Sequence, residues 1–226
     1  MTQIQQSEPL IYQGQFGEFT ITQSDRQGVI IYRVGLMIAA LSFAIGTALV
    51  LRATADGLPL DANSAVLKAL TPLYACFCVG LGVSLLSIHI YLASLHRLLQ
   101  AFWAIGVLAS VVVAWQSSEP FALFVYNHPI TLFGVGFTFA ALTGIYFKEA
   151  FCFNRLETKV LTPLVPMLLL GNLTGVLPVS VEQTLLGIWA TLFMVFALRK
   201  VVQSIPPDIG DKSVFTYLQE QRSARA

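Results

Sequence analysis

The sequence predicts an all-α polytopic membrane protein, a helix bundle with six transmembrane helices and both termini cytoplasmic, and three observations carry that expectation. Of the 226 residues, 56% are hydrophobic and only 11% charged, and the mean hydropathy is +0.72. Six apolar runs divide the chain, each close to the 20 or so residues that cross a hydrocarbon core about 30 Å thick. The Lys and Arg residues segregate to alternate connections between those runs. A soluble domain carries about a quarter charged residues, and a disordered one needs low hydrophobicity with high charge, so both classes are excluded. With 13 basic against 12 acidic residues there is no basic excess for nucleic acid; the lipid bilayer is the partner the composition implies. Three cysteines are too few for a disulfide framework.

Taken in order, residues 1–29 form a polar segment without the apolar stretch and small-residue cleavage site of a signal peptide, which makes the first helix a retained anchor. Within this segment Tyr12 to Thr22 alternates Phe19 and Ile21 with polar residues, a strand signal. Two strands alone are marginal, so this piece needs the bundle or a partner to order it. The transmembrane domain, 30–202, contains predicted helices at 30–51, 72–95, 98–115, 129–147, 160–178 and 183–202, and residues 203–226 form a polar tail. His96 and Arg97 make the turn between the second and third helices. In the connection 53–71, Asp56-Gly57 and Pro59 supply turn chemistry, and Ser64 to Leu70 is expected to form a short interfacial helix. The connection 116–128 carries Phe121, Phe124 and Tyr126 after Trp115, rings that prefer the headgroup level. Arg199 and Lys200, in the last turn of the sixth helix, have stems long enough to carry their charges out to the interface.

With six crossings, one side of the membrane holds Arg26, Arg33, Arg97, Lys148, Arg155, Lys159, Arg199, Lys200, Lys212, Arg222 and Arg225, which is 11 of the 13 basic residues, and the other only Arg52 and Lys68. Basic residues mark the cytoplasmic side, or the stromal side in a plastid.

Val34-Gly35 with Ala39-Ala40-Leu41-Ser42 in the first helix reads against Val135-Gly136 with Ala140-Ala141-Leu142-Thr143 in the fourth, and Leu70-Thr71-Pro72-Leu73 with Gly80 against Leu161-Thr162-Pro163-Leu164 with Gly171. A duplicated three-helix unit would have opposed halves, the inverted repeat of many secondary transporters; chance identity within a small apolar alphabet is the other reading.

Ionisable groups inside a bilayer are candidates for function. His89 is the one placed well within a predicted span, with His96 on the same helical face. It could ligate a tetrapyrrole or relay a proton, or simply donate to a carbonyl as buried polar groups do. Cys76 and Cys78 point to different faces, Cys152 lies on the other side, and no Cys or His cluster has metal-ligand spacing; no metal is expected. Cys152 beside Lys148 and Arg155 could have a lowered thiol pKa. In Gly144 to Lys159, helical continuation places Lys148, Cys152 and Arg155 on one stripe and Glu149, Phe153 and Glu157 on another. This stretch reads either as a docking surface, with Lys148, Glu149, Phe151 and Arg155 meeting a partner and Glu149 paired to Arg33 or Arg97, or as a solvated loop. Asn172, between Gly171 and Gly175, can hydrogen-bond across a close helix contact. A serine-protease pattern, a zinc motif, a Walker loop and a dinucleotide fingerprint are all missing from the sequence, so no catalytic residue is predicted and enzyme activity is not expected.

Gly14-Gln15-Phe16-Gly17-Glu18-Phe19, Asp25-Arg26, Tyr32-Arg33 and Lys148-Glu149-Ala150-Phe151-Cys152-Phe153 together resemble, over nearly the whole chain, an uncharacterised family of integral membrane proteins from cyanobacteria and chloroplasts that carries a domain-of-unknown-function label. The resemblance implies a thylakoid or plasma membrane location and transfers no site residue. The leading expectation is a non-enzymatic protein that assists or scaffolds assembly of a thylakoid-type membrane complex, with other proteins of a photosynthetic complex as partners. The alternatives are a small solute transporter or channel built from the inverted repeat, and pigment or haem binding through His89.

Overall fold

The computed structural model describes residues 11–58 and 60–223; Pro59, Arg225 and residues 1–10 lie outside them. Strands β1 (Ile11–Gly14) and β2 (Gly17–Thr20) form an antiparallel hairpin in which Tyr12 faces Phe19 and Gly14 faces Gly17. The strand expected from the alternation at Tyr12 to Thr22 is therefore a two-stranded element closed by Gln15-Phe16. Gly17 completes that turn at φ +138°, a conformation that favours glycine.

Helix α1 (Gln23–Ala55) opens with a capping box: Thr22 accepts from the Asp25 amide, and the Asp25 carboxylate accepts from the Thr22 amide at 2.8 Å, satisfying two end donors reciprocally. The other long elements are α2 (Ala65–Ser87), α3 (Ala93–Gln116), α5 (Leu132–Phe153), α6 (Leu156–Thr174) and α7 (Val179–Val202), with a short α4 (Phe121–Asn127) before α5. Among the described residues, five helices are long and apolar enough to cross a membrane: α1, α2, α3, α5 with its preceding turn from Pro129, and α7. The less apolar α6 carries Glu157 and Lys159 in its first turn and Pro163 and Pro166 inside.

Most predicted boundaries move: α1 begins at Gln23 rather than at residue 30, and α2 shifts at both ends. Ser64 to Leu70 is not a separate interfacial helix, because Ala65 onward forms the first turns of α2, which runs unbroken through Pro72. At its other end α2 stops at Ser87 rather than reaching Leu95, and Ile88 is extended. A continuing helix would have used the His89 amide to bond the Leu85 carbonyl. Instead His96 Nε2 donates to that carbonyl at 2.6 Å and the Gln100 amide at 3.3 Å. His89 thus lies in the connection between helices, and His96 and Arg97 stand in the first turn of α3; the two histidines do not share a helix face.

Within the bundle α1 packs on α2 and α7, while α5 packs on α3 and α6, and α6 on α7. The glycines that suggested duplication do not play equivalent parts. A Cβ on Gly35 would lie 2.6 Å from the Gly80 carbonyl oxygen and one on Gly80 2.7 Å from that of Gly35, so α1 and α2 touch backbone to backbone. Gly136 faces open space and Gly171 abuts Leu177. The core of the bundle is aromatic, with Tyr32, Phe77, Tyr146, Trp189, Phe193 and Phe196 all buried. In the connection between α3 and α5, Trp115 and Tyr126 are exposed as expected of an interfacial segment, but Phe121 turns inward and stacks on Tyr74 at 4.9 Å.

The tail folds back on the bundle as α8 (Pro206–Ile209) and α9 (Ser213–Ser223). Here the hairpin finds its support: the Gln15 amide donates to Asp211 at 2.6 Å, the Phe16 amide to Ser213 Oγ at 3.0 Å, and the Phe16 ring stacks on Tyr217 at 4.0 Å.

Candidate functional site

The end of the bundle that gathers most of the basic residues is closed by charges inside it. Lys200, in the last turn of α7, is 0% exposed, as is Glu149 on α5. Its ammonium donates to Glu149 Oε2 at 2.9 Å and to Asp208 of α8. Arg33 on α1 donates through Nε and Nη2 to Asp208 Oδ2 at 2.9 and 2.6 Å, and to the Gln203 and Ser204 carbonyls at 2.6 and 2.9 Å. Lys148 donates to the other Glu149 oxygen at 2.9 Å. Lys200 therefore does not extend to the interface as the length of its stem allows; two carboxylates compensate its burial, which uncompensated costs several kcal/mol. The pairing expected between Glu149 and Arg33 or Arg97 is likewise corrected: Glu149 takes Lys200 and Lys148, Arg33 takes Asp208, and Arg97 is exposed.

A second group adjoins the first. The α5 helix ends at Asn154, whose left-handed backbone (φ 52°) is one that asparagine tolerates, and α6 begins after Arg155. The expected continuation of α5 to Glu157 is broken there, so Glu157 falls on α6, where Arg199 donates to it at 2.9 Å and Arg155 lies 3.7 Å away. Arg155 also bonds the Gln203 side chain. Phe153 sits among three cations: Lys200, Lys148 and Arg155 lie 4.5, 5.3 and 5.6 Å from its ring centroid, within cation–π range.

Of the predicted docking residues, the structure buries Lys148, Glu149 and Arg155 in these clusters and leaves Phe151 84% exposed. Phe147, four residues earlier on the same face, is exposed too and its ring lies 6.5 Å away and nearly parallel. Beside this ridge opens a cavity of about 760 Å³ whose wall includes His89, Tyr91, Lys148, Cys152 and Asp208. The sequence separated His89 from the 148–155 stretch, and the fold brings them to one cavity. Partial burial holds the His89 imidazole below its ordinary pKa of 6.5, favouring the neutral form. Among the described residues, no group of three or more His, Cys, Asp or Glu stands close enough to hold a metal ion. Asn172 lies near the opposite end of the bundle, where its amide donates across to Glu182 of α7 at 3.1 Å.

Sequence reasoning missed Asp208 and Gln203, which sit in a polar tail without periodicity, and Glu182, just inside α7. The signal available was the Pro206-Pro207-Asp208 run, in which proline starts a helical turn and returns an acid toward Lys200.

A family model described as "Uncharacterized integral membrane protein (DUF2301)" matches residues 83–217. The matched region includes Lys148 to Phe153 and Asp208, but not the Gly14 to Phe19 and Tyr32-Arg33 stretches, so it is narrower than the expected resemblance over nearly the whole chain. No curated protein and no solved structure matches.

Proposed function

Because the chain belongs to the DUF2301 family of integral membrane proteins, with the matched region running from the end of α2 into α9, we propose that it is a non-enzymatic scaffold that assists assembly of a larger membrane complex. The observation that carries this reading is Phe151, exposed on α5 while Glu149, two residues before it, is locked inside the bundle. A rigid aromatic ridge of Phe147 and Phe151 beside a cavity suits the apolar side of a partner's membrane helix, since large rings bring contact area at low conformational cost. Lys148, Glu149 and Arg155 serve it as positioning residues, holding the α5–α6 corner. The geometry favours this over transport: aromatic packing fills the middle of the bundle, and the ion pairs close its charged end.

The working topology is six crossings with both ends cytoplasmic or stromal. It is supported by the Phe16–Tyr217 stack, which brings the two ends of the described chain to one end of the bundle, as an even number of crossings with α6 as the sixth would do. The segregation of 11 of the 13 basic residues supports the orientation. A thylakoid or plasma membrane location rests on the resemblance of the sequence motifs.

The test is a photocrosslinking residue at position 151 in native membranes. A discrete protein adduct of one mass, lost when Phe147 is replaced by Ser, is expected. Adducts to lipid alone would overturn the proposal, and an absorbance spectrum of the purified protein that changes in His89→Ala would replace it with pigment binding.

A further inference from the structure

At the end of the bundle away from the ion pairs, a cavity of about 550 Å³ lies between α1, α2, α6 and α7 under the short helix α4. A smaller one of about 180 Å³ shares Val50, Leu70, Phe121, Ala122 and Leu186 with it and reaches inward to Phe77 and Phe139 near the middle of the bundle. The two adjoin across these shared residues as a slot that is mainly apolar at its inner end, and their joint volume lies within the 300–1,000 Å³ range of ligand sites. The polar side chains of the outer wall include Asn172, Glu182 and Gln183, and among the described residues no Lys or Arg lines either cavity.

This chemistry selects its ligand. One of the two Asn172 amide N–H groups is used on Glu182 Oε1 at 3.1 Å, so the pair offers a second carboxylate oxygen and a side-chain carbonyl against one remaining N–H, an excess of acceptors. A head group that donates hydrogen bonds is satisfied there. A phosphate or carboxylate head meets the Glu182 charge with no cation to offset it. The inner end, where Ser42, Thr47 and Tyr74 are set among Phe43, Phe77, Phe139 and Leu186, is too apolar to hold a charged group. We propose that this slot binds one molecule of a neutral amphiphile, its single tail running in toward Phe77 and Phe139 and its hydroxyl-bearing head held at Asn172 and Glu182. The slot and the Phe151 ridge lie at opposite ends of the bundle, so either assignment can fail without the other.

The experiment is native mass spectrometry of the full chain released from detergent, with monooleoylglycerol and oleoyl lysophosphatidic acid as probes sharing one tail. A one-to-one adduct with monooleoylglycerol is expected, and at least tenfold less with the phosphate probe. Glu182→Gln should retain the neutral probe and raise binding of the anionic one, a change that mere loss of packing would not produce. Leu186→Trp, which fills the slot, should abolish the adduct in protein that elutes and melts as wild type does. If that variant does not fold, Ala122→Phe on α4 gives the same readout from the surface. Equal adducts with both probes in the wild type, or an adduct untouched by the filling variant, would show ordinary boundary lipid and overturn the proposal.

Discussion

Glu149 and Lys200 meet where both side chains are fully buried, and their worth depends on the charges around them. The cluster contains three cations, Arg33, Lys148 and Lys200, and two carboxylates, Glu149 and Asp208. Glu149→Gln leaves all three cations facing Asp208 alone, and removing one partner of a buried pair costs about 3–5 kcal/mol. Lys200→Met removes the excess cation and leaves the Arg33–Asp208 and Lys148–Glu149 pairs standing, so its cost is smaller. Thermal unfolding in one detergent should rank Glu149→Gln well below Lys200→Met, with the double variant recovering most of the loss; the opposite order would contradict this account of the cluster. Glu149 was legible in the sequence as an acid needing a basic partner near the membrane surface. Which partner it takes was not, because that depends on how residues beyond α7 fold back, and Asp208 stands in a stretch without helical or strand period.

Long helices were legible because hydropathy is a local property: each apolar run near Ala40, Leu81, Val107, Ala141, Leu168 and Phe193 sits in a helix. Their ends were less so, since side chains rather than backbone decide them. His96 and Gln100 take the Leu85 carbonyl, which an uninterrupted α2 would have kept for itself, and Asn154 turns the chain where charge spacing alone suggested continuation. The hairpin was visible as alternation, but its anchor was not. Asp211 accepts from the Gln15 amide and from the amide and hydroxyl of Ser213, and these donors, the Gln15 amide first, hold its pKa below the ordinary 3.8. A depressed carboxyl pKa contributes stability above the unfolded value and loses it as pH falls through the folded one. Exchange protection of the Gln15 amide, corrected for intrinsic rates, should therefore collapse as pH falls below 3.8. In Asp211→Asn it should be low already at neutral pH, with little further change on acidification.

Seen whole, the molecule is a helix bundle with an aromatic middle, closed by ion pairs at one end and bearing an apolar slot at the other. Of the glycines that suggested a duplication, Gly35, Gly80, Gly136 and Gly171, only the first two touch across a helix pair. The meeting of hairpin and α9 makes a prediction about the membrane itself. Single cysteines at Gln13 and Gln219, both exposed, in a chain whose Cys76, Cys78 and Cys152 are replaced by Ser, should react with an impermeant maleimide from one and the same face. Labelling from opposite faces would break the six-crossing topology. The ion cluster also bears on how the chain is made. Arg33 enters the membrane with the first helix, Lys148 and Glu149 with α5, and Lys200 with α7, while Asp208 is synthesised after all of them. Until Asp208 arrives, three cations confront one carboxylate and the first helix has no ionic tie to the last. Closure of this end of the bundle is therefore expected only once Asp208 has been made, and a copy ending before it would leave Arg33, Lys148 and Lys200 with Glu149 as the one carboxylate of the cluster.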